Sequence, residues 1–387
     1  MFLRTPFSIQ NQIEYTFKPM EPFKNMINES VAKQIAQAII RNYPDFDKKA
    51  FLKNCELELA PLELKDRVIF LTVKLNMYLP ESLKKSLPIL KGAIKQNEKD
   101  AIGVSGFATW PLTEYVSRFG LSEFDLSMNT LKEMTKVFTA EFAVRNFFLA
   151  DEEKTLRHFN LWVGDKNEHV RRLVSEGSRP LLPWGQKLPS FVKKPEATWN
   201  LLEILKNDES EYVRKSVANH LNDHSKNHPD YVVKKLLEWQ KSKEFNKNLD
   251  WVIRHASRTL IKKGHPKAFL LHGVESGKIE VLSQKIMTKK VELGKTLQVE
   301  VEFKNKSHKK LKIILDHEVH LLRANNKHNI KCFKGKCIEL DPSEQKKLSF
   351  NIPLKPVTTR TYYSGKHFWN IKVNGISEEK LSFTLKV

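Results

Sequence analysis

The sequence predicts a multidomain chain, α then β: a helical HEAT-like repeat solenoid over residues 1–272, then an immunoglobulin-like β-sandwich over residues 273–387. Two observations carry this expectation. The apolar period changes from helical to alternating near Gly273, and a ten-residue block recurs inside the helical part. At 387 residues, each part is long enough to bury a core of its own.

Residues 1 to about 25 have no clear period and look like an arm. From Ile27 onward, blocks such as Val31–Asn42, Pro61–Tyr78, Leu131–Ala150 and Pro229–Trp239 place apolar residues three and four apart, which is the spacing of a half-buried helix. Gly120, Gly177, Pro195, Pro229 and Gly264-His265-Pro266 fall mostly between blocks, as turns between short helices would. The recurring block is Asp165–Val174, D-K-N-E-H-V-R-R-L-V, which returns 43 residues later at Asp208–Val217 as D-E-S-E-Y-V-R-K-S-V. A weaker copy, Trp251–Arg258, follows about 40 residues further on. Helix pairs at that period stack into a curved array with a concave face. Val170 and Val174, like Val213 and Val217, are four apart and should face the core between repeats. Arg171, Arg214 and Arg254 then fall at equivalent positions, either as a basic stripe or as ion pairs that cap each repeat.

Beyond Gly273, Leu297 to Phe303, Leu311 to Leu315, Leu348 to Ile352, Trp369 to Val373 and Leu381 to Leu385 alternate apolar and polar residues. Asn374-Gly375 is a hairpin-turn pair, and Pro342, Pro353 and Pro356 interrupt the pattern between strands. Six or seven strands in this length suit an immunoglobulin-type sandwich without the Cys and Trp hallmark of antibody domains. The segment Lys355–His367 mixes Arg360, Lys366 and His367 with Tyr362 and Tyr363, either a backbone-contacting loop or a solvated one.

Sixty-six Lys and Arg against 45 Asp and Glu leave a net charge of +21, which favours nucleic acid or another polyanion as partner. No span of about 18 apolar residues and no signal-peptide core is present, so a cytoplasmic chain with no membrane association is expected. Cys332 and Cys337 could bridge a β-turn, but they lack the companion Cys or His ligands of a zinc site, and with Cys55 they are expected to be reduced thiols.

The stretch Thr139–Trp184 concentrates the chemistry. It holds Glu141-Phe142-Ala143-Val144-Arg145, Glu168-His169-Val170-Arg171-Arg172 and Ser175-Glu176-Gly177-Ser178-Arg179-Pro180-Leu181-Leu182-Pro183-Trp184. Glu176 lies four residues after Arg172 and three before Arg179, and Glu141 lies four before Arg145. By spacing alone such pairs are ordinary ion pairs, and neighbouring cations keep the carboxylates ionised. Asp223 by itself is a cap or turn residue, Trp184 a loop-packing residue, and Trp110 and Trp162 core residues.

These motifs resemble the AlkC-type DNA alkylation repair proteins of the HEAT-like DNA glycosylase superfamily, and the resemblance covers nearly the whole chain. It departs at Asn146 and Leu181, where the family pattern has Pro and Arg. The resemblance implies a monofunctional DNA N-glycosylase, a hydrolase that excises cationic alkylated bases, chiefly 3-methyladenine and 3-methylcytosine, from duplex DNA to begin base excision repair. It implies catalytic carboxylates at Glu141, Glu176 and Asp223, a lesion-contacting Trp184, and a sandwich that adds a second grip on the duplex. The candidate DNA-backbone contacts are Arg145, Arg171, Arg172, Arg179, Arg214, Arg254, Arg258, Arg360, Lys366 and His367. A cationic base leaves as a neutral one, so carboxylates need only stabilise the sugar cation and place a water; the reaction calls for neither metal nor organic cofactor, and a monomer is expected. The competing readings are a non-catalytic solenoid that recognises distorted duplex and a scaffold for an acidic protein.

Overall fold

The computed structural model describes residues 22–274, 279–357 and 360–387, so most of the expected arm lies outside the described residues. The chain divides into two compact units, residues 1–146 and 147–387, and the division falls inside the Val144–Ala150 helix.

The first unit is helical. Asn28 starts the Glu29–Ile40 helix by accepting a hydrogen bond from the Val31 amide, which satisfies one of the donors a helix start leaves open. Ile35 and Ile39, four apart on that helix, are fully buried. The Leu64–Tyr78 helix packs on Trp110–Phe119, where the Thr72 hydroxyl donates to the Val68 and Pro111 carbonyls. Trp110 stacks on Phe142 with ring centroids 5.3 Å apart and is core, as its own sequence context suggested.

The second unit opens with paired helices. Glu168–Gly177, Glu211–His224 and Lys247–Ala256 lie side by side in that order, and Glu152–Trp162, Trp199–Leu205 and Pro229–Gln240 are their partners. Val170, Val174, Val213, Val217 and Val252 are all fully buried, so the recurring apolar spacing is the seam between repeats. Trp162 is 3 % exposed and packs against Phe159.

The sandwich belongs to the same unit. Its strands are β1 (Ile279–Ile286), β2 (Lys290–Glu292), β3 (Thr296–Asn305), β4 (Leu311–Leu322), β5 (His328–Leu340), β6 (Gln345–Pro353), β7 (Gly365–Val373), β8 (Ile376–Ser377) and β9 (Leu381–Lys386). One sheet runs β1-β3-β6 and the other β2-β9-β7-β4-β5, with β8 paired to β7; among these described strand pairs only β2–β9 is parallel. The inward faces of both sheets meet around Val301, Phe303, Ile313, Trp369 and Phe383. Asn374 and Gly375, with φ of 48° and 83°, form the two-residue turn expected from their sequence, in which both central residues must be left-handed.

Cys332 and Cys337 do not flank a turn. Both lie within β5, opposite Glu318 and Ile314, and β5 carries a bulge there because the register shifts between Ile314 and Asp316. Gly335 occupies the bulge, where a Cβ would stand 2.2 Å from the Leu315 carbonyl oxygen. The sandwich meets the last helices through another close approach, Gly375 against Gly264, beside the Phe269 ring. Lys372 Nζ donates to the Lys262 carbonyl at 3.1 Å, and Ile314 packs on Leu260, Ile261 and Phe269.

Candidate active site

The Glu168–Gly177 helix ends on the residues of interest. Its N-cap is Asn167, and its last turn buries Val174, Ser175 and Glu176. Glu176 is 5 % exposed. Its Oε1 accepts from Arg179 Nη1 at 2.6 Å and lies 3.5 Å from Arg172 Nη2; its Oε2 accepts from the Ser216 hydroxyl at 2.6 Å. Ser216 stands on the neighbouring Glu211–His224 helix, so the repeat stack brings donor and acceptor together.

Asp223 lies near the end of that helix and is 1 % exposed. Its Oδ2 accepts from Arg179 Nε at 2.8 Å and its Oδ1 from Lys226 Nζ at 2.8 Å. Arg179 thus bridges two carboxylates that are 47 residues apart in sequence. Burial works against the charged guanidinium, but Glu176 and Asp223 outweigh it and hold the Arg179 pKa above the usual arginine value.

The segment after Glu176 makes a turn with Pro183 second and Trp184 third, closed by the Gly185 amide on the Leu182 carbonyl at 3.2 Å. Trp184 has φ of 64°, the left-handed conformation that the third position of a type II turn requires and that glycine ordinarily supplies. Its side chain is 63 % exposed, whereas Leu182 and Leu188 on either side are buried.

In the first unit, Glu141 is 9 % exposed, and its Oε2 accepts from the Thr139 hydroxyl at 2.8 Å. Asn146, at the departure from the family pattern, donates to the Ser117 carbonyl and hydroxyl.

Several of the expected DNA contacts are covered and paired within the protein. Arg171 and Arg214, 8 % and 9 % exposed, are repeat braces. Arg171 grips the Asp208 carboxylate at 2.7 and 3.0 Å and the Asp165 and Lys166 carbonyls. Arg214 reaches the equivalent carbonyls of the next repeat, Asp208 and Glu209. Arg145 is fully buried, and Arg179 is spent on the two carboxylates. His367 is also fully buried, with Nε2 near the Tyr363 carbonyl, Nδ1 accepting from the Leu322 amide and the ring against Phe383. Arg172 is mostly covered, with its guanidinium over the Tyr212 ring.

Other cations remain at the surface. Arg254, beside Asp250, and the exposed Arg258 line a cleft of about 790 Å3 between the last helices and the sandwich. Lys262, Lys334 and Lys336 complete its basic walls. The sequence did not single out these lysines, which belong to strand and helix segments that join only in the fold. Arg258 donates to Asn219 and to the His255 carbonyl. Desolvation lowers its pKa, Asp223 opposes that and Arg179 adds to it, so Arg258 lies within electrostatic reach of Asp223 and Arg179. Arg360 lies over the Tyr362 ring and Lys366 over Phe368.

Comparison with known proteins agrees with this architecture. Residues 280–387 match the family described as "Uncharacterised protein YhaZ, C-terminal Ig-like domain". The chain is 36 % identical over 366 residues to the protein YhaZ of Bacillus subtilis (strain 168), covering 94 % of this chain and 99 % of that one. A solved structure of the Pseudomonas fluorescens alkylpurine DNA glycosylase AlkC, bound to DNA containing an abasic site analog, is 33 % identical, with a TM-score of 0.86 over 95 % of this chain and 100 % of that one. The chain therefore belongs to the YhaZ family, proteins of AlkC type in which a helical-repeat region precedes a C-terminal immunoglobulin-like domain.

Proposed function

We propose that this chain is a monofunctional DNA glycosylase that hydrolyses the N-glycosidic bond of cationic alkylated bases, 3-methyladenine and 3-methylcytosine, in duplex DNA. It acts as a monomer in the cytoplasm, with Glu141, Glu176 and Asp223 as its catalytic carboxylates. The observation that carries this reading is the Glu176–Arg179–Asp223 bridge, with exposed Trp184 on the turn that follows, in a chain similar over 95 % of its length to a DNA-bound glycosylase.

The chemistry follows from charge. A base alkylated at N3 is already cationic and departs neutral, so its leaving needs little proton donation. Positive charge then builds on the deoxyribose, and fixed carboxylates stabilise it without reorganising. A carboxylate also accepts a hydrogen bond from the water that attacks the anomeric carbon. Trp184 supplies a flat apolar face for the lesion. Arg254, Arg258, Lys262, Lys334 and Lys336 neutralise phosphates along the cleft, with Arg360 and Lys366 as further contacts on the sandwich.

One observation favours a duplex-binding repeat protein without catalysis: both oxygens of Asp223 are occupied by cations, which is also what a structural ion pair looks like. Release of free base from methylated duplex by the wild type and by Glu176→Gln separates the two. Release by the wild type that is lost in the variant, with duplex binding intact, supports the glycosylase. Salt-dependent binding without release by the wild type sinks it.

A further inference from the structure

Behind the carboxylate pair lies a polar cluster that the reaction as described does not use. His220 and His224, four apart on the Glu211–His224 helix, are 0 % and 1 % exposed, with ring centroids 4.8 Å apart. Their Nε2 atoms are 3.1 Å apart, and the hydroxyl oxygen of buried Thr198 stands 3.1 Å from one and 3.0 Å from the other. His220 Nδ1 lies 2.9 Å from the Ser175 carbonyl oxygen.

Hydrogen-bond logic fixes the protons. A carbonyl only accepts, so His220 Nδ1 carries a hydrogen and, in the neutral ring, Nε2 presents a lone pair. His224 must then donate through its Nε2, because otherwise two lone pairs would face each other at 3.1 Å. That leaves His224 Nδ1 a lone pair, and it has no hydrogen-bond partner among the described residues. Burial, reinforced by the charge of His228, pushes the His224 pKa down to about 3, so the ring stays neutral.

The cluster ties three elements together. Ser175 directly precedes Glu176 in the last turn of its helix, where carbonyls have no intrahelical donor; His224 directly follows Asp223; and Thr198 stands at the start of the Trp199–Leu205 helix. Apolar side chains would fill the same space without the desolvation cost of three polar groups, but they would not fix a distance between the helices. We propose that His220 and His224, with Thr198, are positioning residues: they lock the helix end that carries Glu176 against the helix that carries Asp223. This rests on the glycosylase reading of those two carboxylates.

The test is single-turnover base release from methylated duplex, with the Kd for abasic-site duplex measured in parallel, for His220→Leu, Thr198→Val, His220→Asn and Glu176→Gln in the full chain. Thr198→Val and His220→Leu should slow release by about ten- to a hundredfold, the effect of misplacing reacting groups by about 1 Å, with Kd within about twofold of wild type. His220→Asn, which restores a donor towards Ser175, should recover most of the rate. The proposal is overturned if Thr198→Val and His220→Leu keep the wild-type rate, if rate and Kd worsen together, or if the Asn variant is no faster than the Leu variant. If His220→Leu does not fold, the near-isosteric Thr198→Val carries the test, with the same outcomes. No release by the wild type removes the glycosylase assignment itself, and a Glu176→Gln variant at full rate removes the catalytic role of Glu176 on which the positioning argument rests. A slow Glu176→Gln beside wild-type Thr198→Val and His220→Leu removes only the positioning role.

Discussion

Arg179→Met tests the carboxylate bridge most directly. The guanidinium is 9 % exposed at its side chain and makes hydrogen bonds of 2.6 and 2.8 Å to carboxylates that are 6 % and 1 % exposed. Methionine fills much of the same volume but strands two buried negative charges. Removing one member of a buried ion pair costs about 3–5 kcal/mol, because the remaining charge is left uncompensated. Glu176 keeps Arg172 and Ser216, and Asp223 keeps Lys226, so the expected loss lies at the lower end, about 3 kcal/mol. Urea unfolding followed by circular dichroism reads it, and a cycle with Asp223→Asn isolates the pair. The double variant should be more stable than Arg179→Met alone, since the amide removes a stranded charge. A loss below about 1 kcal/mol, or strict additivity in the cycle, would refute the argument that Arg179 compensates both carboxylates.

Burial pushes His224 down to about 3 and His272 and His317 to about 4, and Arg254 adds to the effect at His272. Each is neutral in the fold but takes a proton when unfolded below about 6.5, so its contribution is complete above that pH and is lost as pH falls towards the folded values. At pH 5.5 each should cost about 1.4 kcal/mol relative to pH 7.5; the urea midpoint should be lower at pH 5.5 than at pH 7.5, and a flat profile would contradict the neutral-histidine picture. For DNA, replacing both Arg254 and Arg258 with Gln should flatten the plot of log affinity against log salt by about 0.9 per lost phosphate contact, while Arg171→Gln should leave the slope alone and destabilise the fold. An altered slope in Arg171→Gln would restore that residue to the DNA surface. Trp184→Gly relieves the left-handed strain, about 1 kcal/mol, but gains unfolded-chain entropy of similar size; stability should stay within about 1 kcal/mol while base release falls, and unchanged release would remove the indole from the lesion site.

What the sequence disclosed and what it concealed divide along physical lines. The solenoid was legible because Val170, Val174, Val213 and Val217 repeat one buried spacing, and the Asn374-Gly375 turn because few residue pairs tolerate two positive φ angles. The strands β1 and β5 were not. β5 presents Lys331, Lys334 and Lys336 to solvent or cleft, and its bulge at Gly335 breaks the alternation that announces a strand. The arginines of the repeat showed their register but not their partners. Asp208 lies 37 residues from Arg171, and only the stacking of one repeat on the next shows that the carboxylate at the start of a repeat receives the arginine of the one before. The i,i+4 and i,i+3 neighbours of Glu176 were readable as pairs, whereas Ser216, one repeat away, was not.

On the proposed glycosylase reading, the charge arrangement also resolves a conflict between affinity and chemistry. A bare carboxylate repels phosphate, and a bare arginine repels both a cationic base and the sugar cation formed as it departs. Here Glu176 and Asp223 sit among Arg172, Arg179 and Lys226, so the cluster carries one net positive charge and does not oppose a duplex from a distance. Close up, the fields separate. Ser216, Arg179 and Arg172 approach Glu176 from a neighbouring helix, the following loop and its own helix, and Lys226 is 40 % exposed while Asp223 beside it is almost wholly covered. Oxygens held from several directions cannot turn away when positive charge develops nearby. Their buried setting shields them from salt far more than the cleft arginines are shielded. On the proposed reading, ionic strength should therefore govern how tightly this chain holds a polyanion, and the ordered carboxylates what it does once there.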